Sequence, residues 1–326
     1  MELKEVPFNN VLVTGYSGLL GSWMSKSLLN LGCKVSGIAL NDELDFLVDS
    51  FEIKKEIDES YFDISNKDAI DKYFSKNSFD LVIHLAAQTQ VGDAILDPIT
   101  TFKSNIEGTW NILDACKKYE TPVVVASSDK AYGISASLPY TEETPLKGVF
   151  PYEFSKSSTD LLCQTYRNTY SSKISVMRCG NIYGGGDLNW DRLIPGVSRW
   201  LLRNERPILR SNGEFKRDWI YVEDVVLAYI KLASELYYGN PDACNDFNFA
   251  GKDYLSVISV YEKLCNVVLG RFVEPEYILN SDNEIVDQYL DSTKIKKLLN
   301  IESTVNFENG LIKTVDWYKA NLVNIE

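Results

Sequence analysis

Short apolar runs rich in β-branched residues alternate with helical stretches through the first half of the chain, and this alternation constrains the fold most. Strands are predicted at 11–14, 34–40, 61–64, 81–85, 122–126 and 174–178, with helices between them that include 69–76, 99–119 and 152–170. Strands and helices alternating at this spacing are typical of βαβ units, whose strands run parallel. The sequence therefore predicts an α/β fold with a doubly wound parallel sheet of the Rossmann type.

Beyond residue 180 the regular alternation ends. A glycine-rich loop is predicted at 180–187, a helix from about 224 to 236, a late strand at 247–249, and further helices at 254–269, 292–299 and 307–322. We expect a dinucleotide-binding domain formed by 1–180 with returning segments 214–240 and 245–250. Residues 181–213 and 251–326 would then form a smaller C-terminal substrate-binding lobe. The acidic stretch 45–59 is interpreted as a solvated surface segment.

Composition narrows the classes of function. A net charge of −13 over 326 residues disfavours nucleic acid and anionic membranes as partners. Apolar runs are too short to cross a membrane, and the N-terminus does not read as a signal peptide. The six cysteines form no C-x-x-C pair, which argues against zinc and disulfides and favours a reducing cytosol. The single histidine, His84, lies in an apolar strand and is interpreted as a core residue. We therefore expect a cytoplasmic globular protein without a bound metal.

A glycine motif, Gly15-x-x-Gly18-x-x-Gly21, separates the first predicted strand from the first predicted helix. Glycines in this position let the backbone approach a pyrophosphate, whose charge a helix N-terminus favours. An ordinary tight turn is the alternative, but the strand before and the helix after favour dinucleotide binding. The candidate contacts in this loop are Gly15, Ser17, Gly18, Leu19, Leu20 and Gly21.

The second predicted strand is followed by Asn41 and Asp42, where a ribose-binding acid is expected. Asp42 suits the ribose of NAD, whereas Asn41 would also tolerate a 2′-phosphate, so NAD is predicted as the cofactor and NADP is less favoured. Further cofactor contacts are predicted at the ends of later strands and on the helix beyond them: Asp63, Ile64, Leu85, Ala86, Ala87, Gln88, Asn105 and Ser127.

A reactive set follows the strand 122–126, where open α/β sheets bind ligands. Ser128, Asp129 and Lys130 come directly after that strand, and Tyr152 and Lys156 share one face of the next helix. A lysine near a tyrosine lowers the pKa of the phenol, and a phenolate is a suitable base for an alcohol during hydride transfer. A surface ion pair between Asp129 and Lys130 is the alternative; their position between Ser128 and the Tyr-x-x-x-Lys pair favours catalysis.

Residues 181–217 carry seven basic and four acidic residues inside an acidic chain. Surface arginines on a helix explain part of this excess, but arginine also grips a diphosphate through paired hydrogen bonds. The predicted substrate contacts are Gln90, Asn181, Arg192, Leu193, Arg210 and Arg217.

Taken together, these motifs resemble the extended short-chain dehydrogenase/reductases that act on nucleotide sugars. The resemblance covers about 10–318 and also rests on the run Arg217-Asp218-Trp219-x-Tyr221-Val222-Glu223-Asp224. Ser128-Asp129-Lys130 resembles the catalytic triplet of sugar-nucleotide 4,6-dehydratases, and the runs 21–24, 180–187 and 191–195 are similar to CDP-glucose 4,6-dehydratases. Three features depart from the expected pattern: 90–93 lacks an arginine, 217–224 resembles the TDP-glucose and epimerase types, and Asn41 replaces the expected aspartate.

The resemblance implies a lyase that oxidises carbon 4 of the sugar with tightly bound NAD, eliminates water across carbons 5 and 6, and returns the hydride to carbon 6. Tyr152 would be the base, Ser128 would steady the oxygen, and Lys156 would hold the ribose. Lys130, as a neutral amine, would take the carbon-5 proton, and Asp129, protonated, would donate to the departing hydroxyl. A homodimer through a four-helix bundle of 99–119 and 152–170, with exposed Trp110 and Tyr166, is also implied. The alternatives are a 4-epimerase or another extended reductase, and a non-enzymatic dinucleotide sensor.

Overall fold

A computed structural model describes residues 5–43, 45–135, 137–278 and 285–325. Its strands are β1 (Asn10–Thr14), β2 (Lys34–Ala39), β3 (Ile57–Tyr61), β4 (Leu81–His84), β5 (Val123–Ser128), β6 (Ile174–Cys179), β7 (Asn181–Tyr183), β8 (Ile208–Leu209), β9 (Lys216–Tyr221), β10 (Asp246–Phe249), β11 (Tyr254–Ser256), β12 (Glu276–Tyr277) and β13 (Asp287–Gln288). Its α-helices are α1 (Leu19–Asn30), α2 (Phe46–Ser50), α3 (Lys67–Lys76), α4 (Val91–Leu96), α5 (Pro98–Phe102), α6 (Gly108–Lys118), α7 (Pro151–Tyr170), α8 (Leu193–Leu202), α9 (Val222–Tyr238), α10 (Val257–Leu269), α11 (Thr293–Leu299) and α12 (Phe307–Asn321).

The main sheet has seven parallel strands in the order β10-β6-β5-β4-β1-β2-β3. The strand order reverses between β1 and β4, so the loops after these two strands diverge and leave a crevice at their carboxyl ends. This arrangement confirms the predicted α/β class and the doubly wound parallel sheet.

Helices cover both faces of this sheet because successive side chains along a strand point to opposite sides. Val124 of β5 packs into a cluster with α1 and α9. Val123 and Val125, its neighbours along the strand, pack into a second cluster that includes residues of α3, α6 and α7. Strands buried on both faces read as continuous apolar runs, which is why the sequence pattern was informative here.

A smaller layer follows β6. Strand β9 pairs with β7 and β13 in parallel and with β11 in antiparallel orientation. A third core cluster brings this sheet together with α8, α10 and α12 and includes Leu201, Leu264 and Leu311. Helices α10 and α8 also contact one another directly.

Several predicted elements are wrong in position or type. The third strand is 57–61 rather than 61–64, because β3 stays paired with β2 up to Ala39 and Tyr61, after which Asp63 accepts a hydrogen bond from the Ser65 N–H and turns the chain. Only part of the stretch 45–59 is solvated, because several of its residues are buried, including Asp45, Leu47, Val48 and Ile53.

Six short strands were missed: the two-residue strands β8, β12 and β13, and three longer ones. Residues 181–183 form β7 rather than loop, 216–221 form β9, and 254–256 form β11 ahead of α10. Each is only three to six residues long and gains its backbone hydrogen bonds from partners distant in sequence, so local pattern carries little signal for it. The helix predicted at 99–119 begins at Pro98, and a π-helical turn at Lys103–Glu107 interrupts it.

Candidate active site

The loop between β1 and α1 fits a dinucleotide. Gly15 has φ of +71°, and a β-carbon there would lie 2.9 Å from the backbone of Ala86, so only glycine is accommodated. Gly18 caps α1 without a side-chain hydrogen bond, and the first turn of α1 has no acidic residue. The N–H groups of that turn thus point towards the crevice without a competing carboxylate, as binding of a pyrophosphate requires.

Acidic groups surround the carboxyl ends of β2 and β3. Asn41 and Asp42 follow β2 at the surface, and the Asn41 side chain accepts a hydrogen bond from the Glu43 N–H at 3.2 Å. Beneath them, the buried Tyr16 hydroxyl donates to Glu59 at 2.8 Å, and the Tyr61 hydroxyl donates to Asp45 at 2.6 Å. Negative charge at this edge fits the ribose hydroxyls of NAD better than the 2′-phosphate of NADP. Asp63 is exposed nearby, whereas Ile64 is buried.

The loop after β4 is held from below by two polar side chains. The Thr14 hydroxyl accepts hydrogen bonds from the backbone N–H groups of Leu85 and Ala86, both at 3.2 Å. Asn105, in the π-helical turn, binds both backbone groups of Gln88, at 2.7 and 2.9 Å. Asn105 is buried, so its amide positions this loop instead of facing the crevice. Ala87 lies in the same loop as a small residue.

Strand β5 delivers Ser128 and Asp129 to the end of the sheet. A 3₁₀ turn, Asp129–Tyr132, begins directly after Ser128, whose hydroxyl donates to Asp129 at 2.7 Å and accepts from the Lys130 N–H at 3.2 Å. Asp129 is only 3% exposed. The structure therefore does not support a surface ion pair as the role of Asp129.

Ser127 faces the opposite side of β5. Its hydroxyl donates to Asp160 of α7, and Asp160 also pairs with the buried Arg178 at 2.8 Å. The Ser127 side chain therefore belongs to a buried polar network with Asp160 and Arg178.

Helix α7 presents Tyr152 and Lys156 to the end of β5. The helix begins at Pro151, and Glu153 accepts the N–H groups of Val149 and Phe150, which fixes its first turn. Lys156 is buried and donates to the Ala126 carbonyl at 3.2 Å. Burial lowers the pKa of Lys156 to about 8. Its ammonium group lies 6.0 Å from the centre of the Tyr152 ring.

The pKa of Tyr152 differs from the sequence prediction. Burial raises it to about 12; Arg192 lowers it, Asp129 raises it, and a hydrogen bond with Ser128 lowers it. Lys156 was predicted to be the cation that lowers the pKa of Tyr152, but in the structure Arg192 is that cation. Lys156 is itself desolvated, so its charged form is disfavoured and its field at the phenol is weaker.

Lys130 and Asp129 are supported by residues far along the chain. The Lys130 amine donates to the side-chain oxygen of Gln288 at 3.0 Å. Asp218 of β9 is buried, and its carboxylate accepts the Leu290 N–H at 3.1 Å. Burial raises the pKa of Asp218 to about 8, with the charge of Asp129 as a further cause.

Asp218 and Gln288 were not among the predicted site residues. Asp218 lies within the motif at 217–224, so a signal for it was present in the sequence. Gln288 carries no motif and is brought to the site only by the pairing of β13 with β9.

The predicted substrate contacts are dispersed. Arg192 caps α8 next to Leu193, pairs with Asp187 at 3.0 Å and acts electrostatically on Tyr152, so it faces the reactive set. Asn181 donates to the Asp218 carbonyl at 3.3 Å. Gln90 is exposed and uses its backbone carbonyl to accept from Gln88.

Two of the predicted arginines are engaged elsewhere. Arg217 is buried and donates to the Ile285 and Val286 carbonyls at 2.5 and 2.7 Å, so these contacts serve to hold backbone. Arg210 is exposed and pairs with Asp191 at 2.5 Å. Neither arrangement resembles a diphosphate clamp.

His84 is a core residue, as predicted. It is 2% exposed, its two ring nitrogens contact the hydroxyls of Thr14 and Thr109 at 2.7 and 3.0 Å, and burial lowers its pKa to about 3. Within the described part of the chain, no group of three His, Cys, Asp or Glu side chains could hold a metal ion. None of the helices described there is long and apolar enough to cross a membrane.

A parallel doubly wound sheet, a glycine loop at a helix N-terminus and a Ser-Tyr-Lys set at the crevice define a dinucleotide-dependent enzyme of the Rossmann class. The model of the NAD dependent epimerase/dehydratase family matches residues 11–245. The chain belongs to this family, which confirms the resemblance to it and the prediction of NAD as the cofactor.

Known relatives include both kinds of enzyme in the family's name. The chain is 31% identical over 326 residues to a UDP-glucuronate 4-epimerase of Thermodesulfobacterium geofontis, covering 95% of this chain and 96% of the relative. It is 28% identical over 333 residues to a CDP-glucose 4,6-dehydratase of Salmonella typhimurium, covering 95% and 90%. The crystal structure of a dTDP-glucose 4,6-dehydratase from Bacillus anthracis in complex with NAD superimposes with a TM-score of 0.85 at 26% identity, covering 96% and 97%.

Proposed function

We propose that the protein is an NAD-dependent sugar-nucleotide 4,6-dehydratase that converts CDP-glucose or a related NDP-hexose to its 4-keto-6-deoxy product. The observation that carries this proposal is the buried Asp129, which follows Ser128 at the end of β5 and precedes Lys130. An acid and an amine in this position supply the two proton transfers that elimination of water needs. A relative named as a CDP-glucose 4,6-dehydratase supports the same assignment.

Ser128, Tyr152 and Lys156, here called the oxidation set, prepare the first step. Tyr152 takes the proton of the carbon-4 hydroxyl, and Ser128 holds the oxygen by a hydrogen bond. Lys156 binds the ribose of the cofactor and orients Tyr152. The glycine loop and the loop after β4 would hold NAD, which would supply the hydride acceptor and donor for this chemistry.

Asp129 and Lys130, here called the elimination pair, carry the second step. The carbon-4 ketone acidifies the carbon-5 hydrogen, which the neutral Lys130 amine removes. Asp129, in its protonated form, donates to the carbon-6 hydroxyl as it leaves as water. General acid and base catalysis of this kind contributes about 10²–10⁴-fold for each group.

We infer that the smaller C-terminal lobe, residues 181–213 and 251–326, covers the substrate. Arg192 at the start of α8 is the contact that the geometry favours most, since it acts on Tyr152 and its side chain remains 41% exposed. A guanidinium in this position suits the diphosphate of a nucleotide sugar. Replacing Arg192 by Met should raise the KM for the sugar nucleotide more than it lowers kcat.

The test is to incubate the purified protein with CDP-, TDP-, UDP- and GDP-glucose and to record the alkaline ultraviolet absorbance of a 4-keto sugar. Loss of that signal in Lys130→Ala, with NAD still bound, supports the role of the elimination pair. If no 4-keto-6-deoxy product forms from any of the four, the proposed function is wrong.

A 4-epimerase is the second candidate, because a relative 31% identical to this chain is named as a UDP-glucuronate 4-epimerase. In that case Asp129 and Lys130 would be spectators, and an epimer would appear without any 6-deoxy product. A non-enzymatic dinucleotide sensor, the remaining alternative, would be unaffected by Tyr152→Phe. Chromatography of the sugar nucleotides after incubation separates these outcomes.

We also propose a homodimer formed by two helical stretches of each protomer, 99–119, which contains most of α5 and all of α6, and 152–170, which lies in α7. Large apolar side chains are exposed on these helices, including Ile99, Trp110, Phe154 and Leu161. Burial of such faces against a second copy would form a four-helix bundle. Tyr166, predicted as an exposed contact, is half-buried against Tyr170 and Lys117. Light scattering at micromolar concentration tests this, and a monomer would contradict it.

A cytoplasmic location is the remaining part of the proposal. All six cysteines are free thiols, and five of them are buried. Unpaired thiols are typical of proteins in reducing compartments. Fractionation of cells that produce the protein, followed by immunoblotting, tests this location.

A further inference from the structure

Lys130 is tied to a residue of the C-terminal part of the chain. Its amine donates to the side-chain oxygen of Gln288 at 3.0 Å across 158 residues of sequence. Gln288 has no exposed surface, and its amide nitrogen has no hydrogen-bond partner among the described residues. A fully buried glutamine normally uses both ends of its amide in hydrogen bonds. Within the described structure, the side chain of Gln288 makes one polar bond, its contact with Lys130.

The chemistry of the two groups fixes the orientation of this amide. A lysine amine that bears protons is a donor, and of the two polar atoms of a glutamine side chain only the oxygen accepts. For an ammonium group the opposite orientation would place two donors against each other, and for a neutral amine it would occupy the lone pair that has to take the proton. The Gln288 oxygen therefore faces Lys130.

The position of Gln288 is fixed from both sides. Strand β13 pairs with β9 so that Gln288 lies opposite Arg217, and the Arg217 guanidinium binds the Ile285 and Val286 carbonyls just before it. Just after it, the Leu290 N–H donates to Asp218. The acceptor of the Lys130 amine is thus held on a backbone with contacts before and after residue 288.

We propose that Gln288 is a positioning residue for Lys130, one that holds the amine for proton abstraction without supplying a counter-charge. This inference rests on the proposed dehydratase function. A carboxylate in the same place would hold Lys130 as an ammonium ion, which cannot act as a base. Within the described residues, the charged groups on these elements are Asp129 on the same turn, Lys216, Arg217 and Asp218 on β9, and Asp287 on β13, so an amide adds no further negative charge.

The first test replaces Gln288 by Glu and measures the reactivity of Lys130 directly. Competitive labelling with acetic anhydride, read by mass spectrometry of the peptide that contains Lys130, reports the fraction of neutral amine and needs no turnover. We expect labelling at neutral pH to fall about tenfold, because a carboxylate at hydrogen-bond distance favours the charged amine by about one pH unit or more. The pH at which dehydration reaches half its maximum should rise by the same amount.

The second test replaces Gln288 by Met, which keeps the volume and removes the acceptor. We expect kcat for dehydration to fall about tenfold with KM within about twofold, since a lost hydrogen bond of about 1.4 kcal/mol corresponds to a factor of ten. Asn306→Asp is the matched control: it adds a charge at the exposed N-cap of α12, where Asp caps as well as Asn, and should change neither quantity.

These measurements separate two kinds of failure. Unchanged labelling of Lys130 and unchanged kcat in both variants, with thermal unfolding close to that of the wild type, would overturn the role of Gln288. If the wild type forms no 4-keto-6-deoxy sugar but Gln288→Glu still suppresses labelling, Gln288 does hold Lys130 and the proposed reaction is wrong. If Gln288→Glu does not fold, the kcat and KM of Gln288→Met decide.

Discussion

The oxidation set lies on two consecutive elements, β5 and α7, whereas the elimination pair is supported from β9 and β13. Lys156 binds a carbonyl only 30 residues before it, but Lys130 binds Gln288 across 158 residues. Asp218 is brought over the end of β6, where its carboxylate lies against Gly180, and a β-carbon at residue 180 would overlap it. In the proposed mechanism, the oxidation set thus lies on the Rossmann half, whereas the elimination pair also contacts the C-terminal part of the chain.

The largest effect that sharpens this comparison is expected from Tyr152→Phe. In the proposed mechanism the phenol is the base for carbon-4 oxidation, and nothing downstream proceeds without that step, so turnover should fall by about 10³-fold or more. Binding of NAD, measured by calorimetry, should remain. Tyr166→Phe on the outer part of the same helix serves as the control and should leave turnover unchanged. Substantial activity in Tyr152→Phe would mean that another group is the base.

Asp129→Asn should suppress elimination and leave carbon-4 oxidation intact. The variant keeps the shape of the side chain but cannot donate the acid proton, so formation of the 6-deoxy product should fall by about 10²–10⁴-fold. Carbon-4 oxidation should persist, visible in a single turnover as absorbance of reduced nicotinamide. Equal loss of both signals would show that Asp129 serves the oxidation set as well.

The same contrast explains what could be read from the sequence. The seven-stranded sheet follows from β-branched runs buried on both faces, and Ser128, Tyr152 and Lys156 follow from strand ends and helical spacing. Strands β7 and β11 are only three residues long, which is too short for a recognisable sequence pattern. Gln288 is one uncharged residue on a two-residue strand. Ser127 and Asn105 were expected at the cofactor, yet their side chains bind Asp160 and the Gln88 backbone; strand periodicity alone does not show which face carries the ligand.

Lys156→Met should stabilise the fold while abolishing activity. Burial lowers the Lys156 pKa from 10.5 to about 8, so the charged amine costs the folded state about 3 kcal/mol below pH 8. Between about pH 8 and 10.5 the unfolded chain binds more protons than the folded one, so wild-type stability rises with pH there. The free energy of unfolding of Lys156→Met, from urea titrations without cofactor, should therefore exceed that of the wild type near pH 7.

The advantage of Lys156→Met should shrink as pH rises from about 8 and disappear above about pH 10.5, where the unfolded wild type also loses this proton. Lys319→Met, on the exposed face near the end of α12, is the control and should show no such pH dependence. A destabilised Lys156→Met at neutral pH would mean that the ammonium is compensated in the folded chain, for example by Asp160.

Asp218→Asn should act in a different pH window. Because the pKa of Asp218 is raised from 3.8 to about 8, the folded chain binds a proton between these values that the unfolded chain has lost. Wild-type stability should therefore fall as pH rises from about 4 to 8, and Asn, which is neutral at every pH, should remove that part of the slope. Asn also keeps an acceptor for the Leu290 N–H, so the packing of β13 should survive.

Urea titrations at pH 5 and pH 8 measure the difference, with exposed Asp242→Asn as the control. A stability gap between Asp218→Asn and the wild type that is the same at both pH values would show that Asp218 is ionised throughout this range.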